Sequence, residues 1–207
     1  MSQKPLVFVV DDDASIRRAL ARLIRSMDIE TETFELAQEV IDRLSVVTPG
    51  CILLDVRMPG LSGLELQRDL SARGVRTPVV FITGHGDIPT SVNAMKAGAC
   101  DFLTKPLDEH NILAAIQQAL ALDTRRRAEQ SEQDAVIARV GALTPREHEV
   151  FRHVIAGRLN KQIAADLGTS EKTIKVHRAR VMEKIRAGSV AELTRLADRA
   201  GIRPIES

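Results

Sequence analysis

Three apolar runs of this chain, and a weaker fourth, end in polar side chains of complementary chemistry. Residues 6–10 lead straight into Asp11, Asp12 and Asp13, and residues 51–54 into Asp55. Residues 79–82 lead into Thr83, and 101–104 into Lys105 and Pro106. Short apolar, β-rich runs of this kind read as buried strands. In an open parallel α/β sheet, ligands bind at the carboxyl ends of the strands. Carboxylates, a hydroxyl and an ammonium gathered there suit a hard divalent cation and a phosphoryl group. A carboxylate in that setting can take the phosphoryl group as an acyl phosphate.

The elements that must hold these groups follow the same pattern. Weaker strands at 31–35 and 101–104 join those at 6–10, 51–54 and 79–82. Amphipathic stretches near 14–27, 37–47, 64–72, 88–97 and 109–121 alternate with them. Five strands alternating with five helices predict a doubly wound parallel sheet with right-handed crossovers. Near-continuous apolar strands fit a sheet covered on both faces. Asp13 is expected to cap the first helix rather than bind metal.

From Asp123 to Asp134 the chain is polar and free of Gly and Pro, so it is expected to prolong the preceding helix as a solvated rod. A dimer-supporting helix and disorder are the alternatives. After Gly141 the pattern is purely helical. Thr144, Pro145 and Glu147 form a capping-box sequence for a helix that stops at Gly157. A short helix over 160–167, a turn at Gly168, a cap at Thr169 and Ser170, a longer helix over 171–186 and a last one over 189–200 follow. A tight turn between two such helices is the helix-turn-helix arrangement.

Composition narrows the partners. The net charge is +1, yet residues 1–120 carry 12 Lys/Arg against 16 Asp/Glu, and the remainder 17 against 12. An acidic half joined to a basic half suggests a metal-binding unit coupled to one that touches a polyanion. Five Phe and no Trp or Tyr argue against base-stacking binders of single strands, so duplex is favoured. No apolar run approaches a membrane span and no cleavable signal is visible, so no membrane partner and a cytoplasmic location are expected. Cys51 and Cys100 lack metal-ligand spacing and read as reduced core cysteines.

The order Asp11-Asp12, Asp55 in Asp55-Val56-Arg57-Met58-Pro59-Gly60, Thr83-Gly84 and Lys105-Pro106 resembles the receiver domain of two-component response regulators, over residues 5–121. The C-terminal Leu143-Thr144-Pro145-Arg146-Glu147, Asn160-Lys161-Gln162-Ile163-Ala164 and Thr173-Ile174-Lys175-Val176-His177 resemble the four-helix LuxR-type DNA-binding domain. Thr83-Gly84-His85-Gly86-Asp87-Ile88-Pro89 and Lys96-Ala97-Gly98-Ala99 make the whole chain similar to the FixJ-like subgroup of the FixJ/NarL family. The division implied is a flavodoxin-like receiver at 1–121, a helical linker at 122–140 and an all-α helix-turn-helix domain at 141–207.

The resemblance implies that Asp55 accepts phosphate from a sensor histidine kinase. Mg2+, with Mn2+ able to substitute, would be held by Asp12, Asp55, the Arg57 backbone carbonyl and, through water, Asp11. Lys105 and Thr83 would contact the phosphoryl oxygens, Gly84 would leave it room, and the Lys105-Pro106 bond would be cis. Thr83 and Phe102 would form the switch, with a plain core role for Phe102 as the alternative. By position, two residues after Thr83 and Asp55, His85 and the Arg57 side chain could tune water access, with an ordinary loop residue as the alternative for His85. Phosphorylation would then drive either a homodimer through the face over 88–121 or release of the output domain.

On the output side, Lys172, Lys175, Val176 and Arg180 are expected at the bases. Lys161, Thr169, Ser170, Thr173, His177, Arg178 and Lys184 complete the expected DNA contacts, mostly at phosphates. Ile174, Val181 and Ile185 should pack inward. The implied function is a phosphorylation-activated transcription factor acting with promoter DNA and RNA polymerase, read as an activator. It would be no enzyme apart from self-phosphorylation and dephosphorylation at Asp55. An aspartyl-phosphate phosphatase is the competing class, but it would want an acid where Arg57 stands. A DNA-binding protein with a vestigial receiver is the other, and the complete set of pocket residues argues against it.

Overall fold

The computed structural model describes residues 5–44, 48–84 and 88–205. Five strands, β1 (Leu6–Val10), β2 (Glu30–Phe34), β3 (Gly50–Asp55), β4 (Val79–Thr83) and β5 (Asp101–Thr104), form one sheet in the order β2-β1-β3-β4-β5. Every pairing is parallel. Helices α1 (Ala14–Arg25), α2 (Ala37–Arg43), α3 (Gly63–Ala72), α4 (Ile88–Lys96) and α5 (Glu109–Gly141) connect and follow the strands. Residues 45–47, the predicted end of α2, lie outside the described residues, as does His85.

Alternation along the strands builds a core on each side of the sheet. Phe8, Val10, Ile52, Leu54 and Phe81 face one way, together with α2 and α3. Val7, Val9, Cys51, Leu53, Val80 and Ile82 face the other, with Leu20 and Ile24 of α1 and Ile112, Ile116 and Ala119 of α5. β3 is buried along its whole length, as a central strand covered on both faces must be. Cys51 and Cys100 are free thiols, and burial pushes the Cys51 thiol well above its ordinary range.

α5 runs unbroken from Glu109 to Gly141, so the helical extension forms as expected. Its surface is not solvated throughout, however. Asp123 is buried, and its Oδ2 accepts the Gly50 amide at 3.0 Å. Gly50 has φ 143°, and a Cβ there would sit 1.8 Å from the Leu6 carbonyl oxygen, so only glycine fits. A polar residue facing a buried amide is as well housed as an apolar one, which is why composition missed it.

The chain divides into two compact units, Met1–Arg126 and Arg127–Ser207. In the second, Val136 and Val140 of α5 join a core with α6 (Pro145–Ile155), α7 (Asn160–Asp166), α8 (Glu171–Ile185) and α9 (Val190–Arg199). Thr144 caps α6 through its hydroxyl, and Glu147 closes the capping box on the Thr144 amide at 2.9 Å. Ser170 and Ser189 cap α8 and α9, while Arg186 ends α8 in the left-handed conformation. No helix among the described residues is long and apolar enough to cross a membrane.

Glu147 also receives the Lys184 ammonium at 2.6 Å. That hydrogen bond, with those from Thr144, lowers its carboxyl to about 2 against an ordinary 4.5. A depressed carboxyl stabilises the fold above its unfolded pKa and loses that contribution as pH falls towards its folded value. Glu147→Gln keeps the capping box and removes the charge. Thermal melts should show the unit lowered by roughly 5 °C at pH 7. The gap to wild type should close between about pH 4.5 and 2.

Candidate functional site

The carboxyl ends of β1, β3, β4 and β5 bring Asp11, Asp55, Thr83 and Lys105 to one edge of the sheet. Register accounts for this. Val10 pairs with Leu54 and Asp55 with Ile82, so Asp11 and Asp55 leave neighbouring strands at similar heights. Thr83 pairs with Thr104, and the Lys105 amide donates to the Thr83 carbonyl at 2.7 Å.

The Lys105 ammonium lies between the two carboxylates, donating to Asp11 Oδ2 at 2.9 Å and pairing with Asp55 Oδ1 at 3.0 Å. The outer oxygens are held by backbone: Asp11 Oδ1 accepts the Asp13 amide at 2.8 Å, and Asp55 Oδ2 accepts the Arg57 amide at 2.9 Å. Asp11 and Thr83 are 1 % exposed and Asp55 5 %, whereas Asp12 faces solvent. Burial pushes the Asp55 carboxyl above its ordinary range, against the pull of Lys105 and with help from the Asp11 charge. Burial works against the Lys105 charge, but the hydrogen bonds to Asp11 and Asp55 outweigh it and hold its pKa up.

Around this group the peptide Lys105-Pro106 is cis. Asp13 caps α1 by accepting the amides of Ser15 and Ile16. Phe102 is half-buried and packs against the core cluster that contains Phe81, Val56 and Ala94. A Cβ at Gly84 would lie 4.0 Å from Lys105 Cδ, beside the ammonium's stem. Gly63 was not singled out from sequence. A Cβ there would meet the Asp55 carbonyl oxygen at 2.3 Å, so α3 packs directly on the backbone of Asp55. A glycine at the first position of a helix is the signal that could have found it.

All the donors of the expected metal site are hard oxygens. Among the described residues, no three acidic, His or Cys side chains form a ready-made cage. Magnesium does not need one, since it takes one or two carboxylates and keeps several waters. The residues therefore fit a hydrated divalent cation beside Asp55.

A second candidate surface lies on α8. Lys172, Thr173, Lys175, Val176 and Arg180 are exposed, Val176 at 46 %, while Ile174, Val181 and Ile185 are buried. Lys161 is exposed on α7, and Thr169 is half-buried in the turn. Ser170 accepts the Thr173 amide. Arg178 donates to Asn160 Oδ1 at 2.9 Å, tying α8 to α7, and His177 is half-buried with its Nδ1 unpaired. Lys184 is exposed, and its ammonium also pairs with Glu147, so it supports the fold as well.

Residues 7–117 match the response regulator receiver domain, and residues 141–197 match the bacterial regulatory proteins of the luxR family. The chain is 44 % identical to nodulation protein W of Bradyrhizobium diazoefficiens over 201 residues, covering 97 % of this chain and 88 % of that protein. It is 42 % identical to the transcriptional regulatory protein FixJ of Azorhizobium caulinodans over 200 residues, 97 % and 95 % of the two. Among solved structures it is similar to the response regulator StyR, with a TM-score of 0.83 at 47 % identity over 95 % of this chain and 100 % of that one. Full-length FixJ from B. japonicum gives 0.59 at 42 %, over 97 % and 98 %.

Removing the ammonium should leave two facing carboxylates unneutralised. Urea unfolding of Lys105→Met should show a loss of about 3 kcal/mol, the scale for breaking a buried pair. Asp55→Asn removes one of the facing charges and should cost less than about 1 kcal/mol.

Proposed function

The chain belongs to the response regulators that join a receiver to a LuxR-type output domain, and from that premise we propose how its own residues work as a phospho-switch. Membership entails phosphorylation-dependent control of transcription, with a sensor kinase upstream and DNA downstream. Its members regulate transcription and are not enzymes in the ordinary sense.

The observation that carries the reading is Lys105 bridging Asp11 and Asp55. Asp55 is the nucleophile. Its oxygen attacks the phosphoryl phosphorus carried by the kinase's histidine, a P–O bond forms, and the P–N bond breaks. Lys105, already within reach of Asp55, then pairs with a phosphoryl oxygen, and the Thr83 hydroxyl donates to another. Asp12, Asp55 and the Arg57 carbonyl would hold Mg2+, or Mn2+ in its place, with Asp11 acting through water. The cation supplies charge neutralisation for an incoming phosphate among carboxylates.

Drawing Thr83 towards the phosphate frees space that Phe102, half-buried and without a polar tip, can fill by packing alone. The face over 88–121 then carries a homodimer. It includes Val92 and Met95 on α4, exposed at 43 % and 48 %. Receiver (1–121), connector (122–140) and output domain (141–207) are the functional divisions of this reading, which places the protein in the cytoplasm.

The dimer presents two copies of α8 to two half-sites of promoter DNA, acting as an activator through RNA polymerase. Lys172, Lys175, Val176 and Arg180 read bases, and Val176 suits a thymine methyl. Lys161, Thr169, Ser170, Thr173, His177, Arg178 and Lys184 position the helix on the phosphates.

Beryllofluoride with magnesium, a mimic of the phosphoryl group, should convert wild type to a dimer and tighten its DNA binding in sedimentation and gel-shift measurements. Asp55→Ala should respond to neither, and equal DNA binding in all conditions would sink the switch. On DNA, Lys161→Ala should weaken binding to every sequence and lower the salt slope by about 1. Val176→Ala should instead relax discrimination at one base pair, by roughly 1–3 kcal/mol.

A further inference from the structure

The last turns of α5 do more than connect. Val136 and Val140 are 2 % and 7 % exposed and share a core with Ile174, Val181 and Ile185, the inward face of α8. Between them, Arg139 extends its guanidinium to α8 and donates to the Ile185 carbonyl at 2.8 Å.

That carbonyl belongs to the final residue of α8, where helix carbonyls lack intrahelical partners. The turn that follows satisfies two others, since the Ala187 amide donates to Met182 and the Arg186 amide to Glu183. Arg139 supplies the partner for Ile185, and it places a cation at the negative end of the helix dipole. Lys184 adds a neighbouring link, reaching the Ala142 carbonyl at 3.4 Å and Glu147 at 2.6 Å.

We propose that Arg139 is a positioning residue for DNA recognition, fixing the C-terminal end of α8 so that Lys172, Lys175, Val176 and Arg180 meet the bases in register. Arg139 itself touches no DNA. Losing the Arg139 contact leaves the end of α8 held by Val181, Ile185 and Lys184 alone and lets it shift, and base contacts tolerate little displacement. Phosphate contacts tolerate more, because they are distributed and electrostatic. This rests on the reading of α8 as the DNA-reading helix.

The test uses the full chain activated with beryllofluoride and magnesium. Wild type first selects its preferred duplex from a random-sequence pool. Affinities for that duplex and for an unrelated one are then measured across salt for wild type, Arg139→Gln and Arg139→Lys. Arg139→Gln should bind the selected duplex about tenfold more weakly, the scale of one charge-assisted hydrogen bond. Its binding to the unrelated duplex and its salt slope should match wild type. Arg139→Lys, which keeps the cation, should recover part of the loss. Melting of the 127–207 unit, followed in the same samples, identifies a variant that is merely unfolded.

Unchanged affinity and discrimination in Arg139→Gln would overturn the proposal. So would a loss on both duplexes in proportion to the unfolded fraction, since a purely structural role gives that result. If activated wild type selects no sequence, the DNA-reading assignment of α8 fails, and the role of Arg139 falls with it.

Discussion

One cation between two carboxylates is the constraint on which the receiver unit turns. Parallel register sends Asp11 and Asp55 out of adjacent strands side by side, and burial denies them water to screen their repulsion. At a separation of 4 Å and a near-surface dielectric, a pair of unit charges interacts by on the order of 4 kcal/mol. Lys105 converts that cost into two attractions. A site so balanced is poised for exchange. On the proposed reading, a phosphoryl group on Asp55 would offer the ammonium a new partner, and the displaced charge would have to be answered by groups that can move.

The output unit rests on a different device, a helix with two faces. Ile174, Val181 and Ile185 anchor α8 in the core, while Lys172, Lys175, Val176 and Arg180 are among the residues it turns outward. The same helix is held at both ends by polar groups: Ser170 at its start, and Arg139 and Glu147 (through Lys184) at its finish. The base reading proposed for α8 demands a rigid platform, and these ties would supply one.

Much of this was legible in the residues. Apolar strands ending in Asp, Thr and Lys fix both the sheet and the pocket, because strand periodicity and strand-end chemistry are local properties. Thr144 with Glu147 marked a helix start for the same reason, and the structure has the capping box there. Long-range polar pairs were not legible. The pairing of Lys184 with Glu147, 37 positions away, leaves no trace in the local pattern of a basic helix. Gly63 is required by the Asp55 backbone across a turn, which spacing alone cannot reveal. Asp123 sat in a polar stretch whose composition said solvent, and only the fold supplies the amide it serves.

That last pair carries a consequence for the receiver as an independent object. The Gly50 amide opens the central strand, and its acceptor is borrowed from a helix 73 positions later in the chain. A fragment ending at residue 121, where the strand-and-helix alternation stops, would open β3 with a buried donor and nothing to receive it. The natural edge of the autonomous folding unit therefore lies beyond Asp123. The arginine that reaches the Arg76 carbonyl, Arg126, marks a sensible place for it.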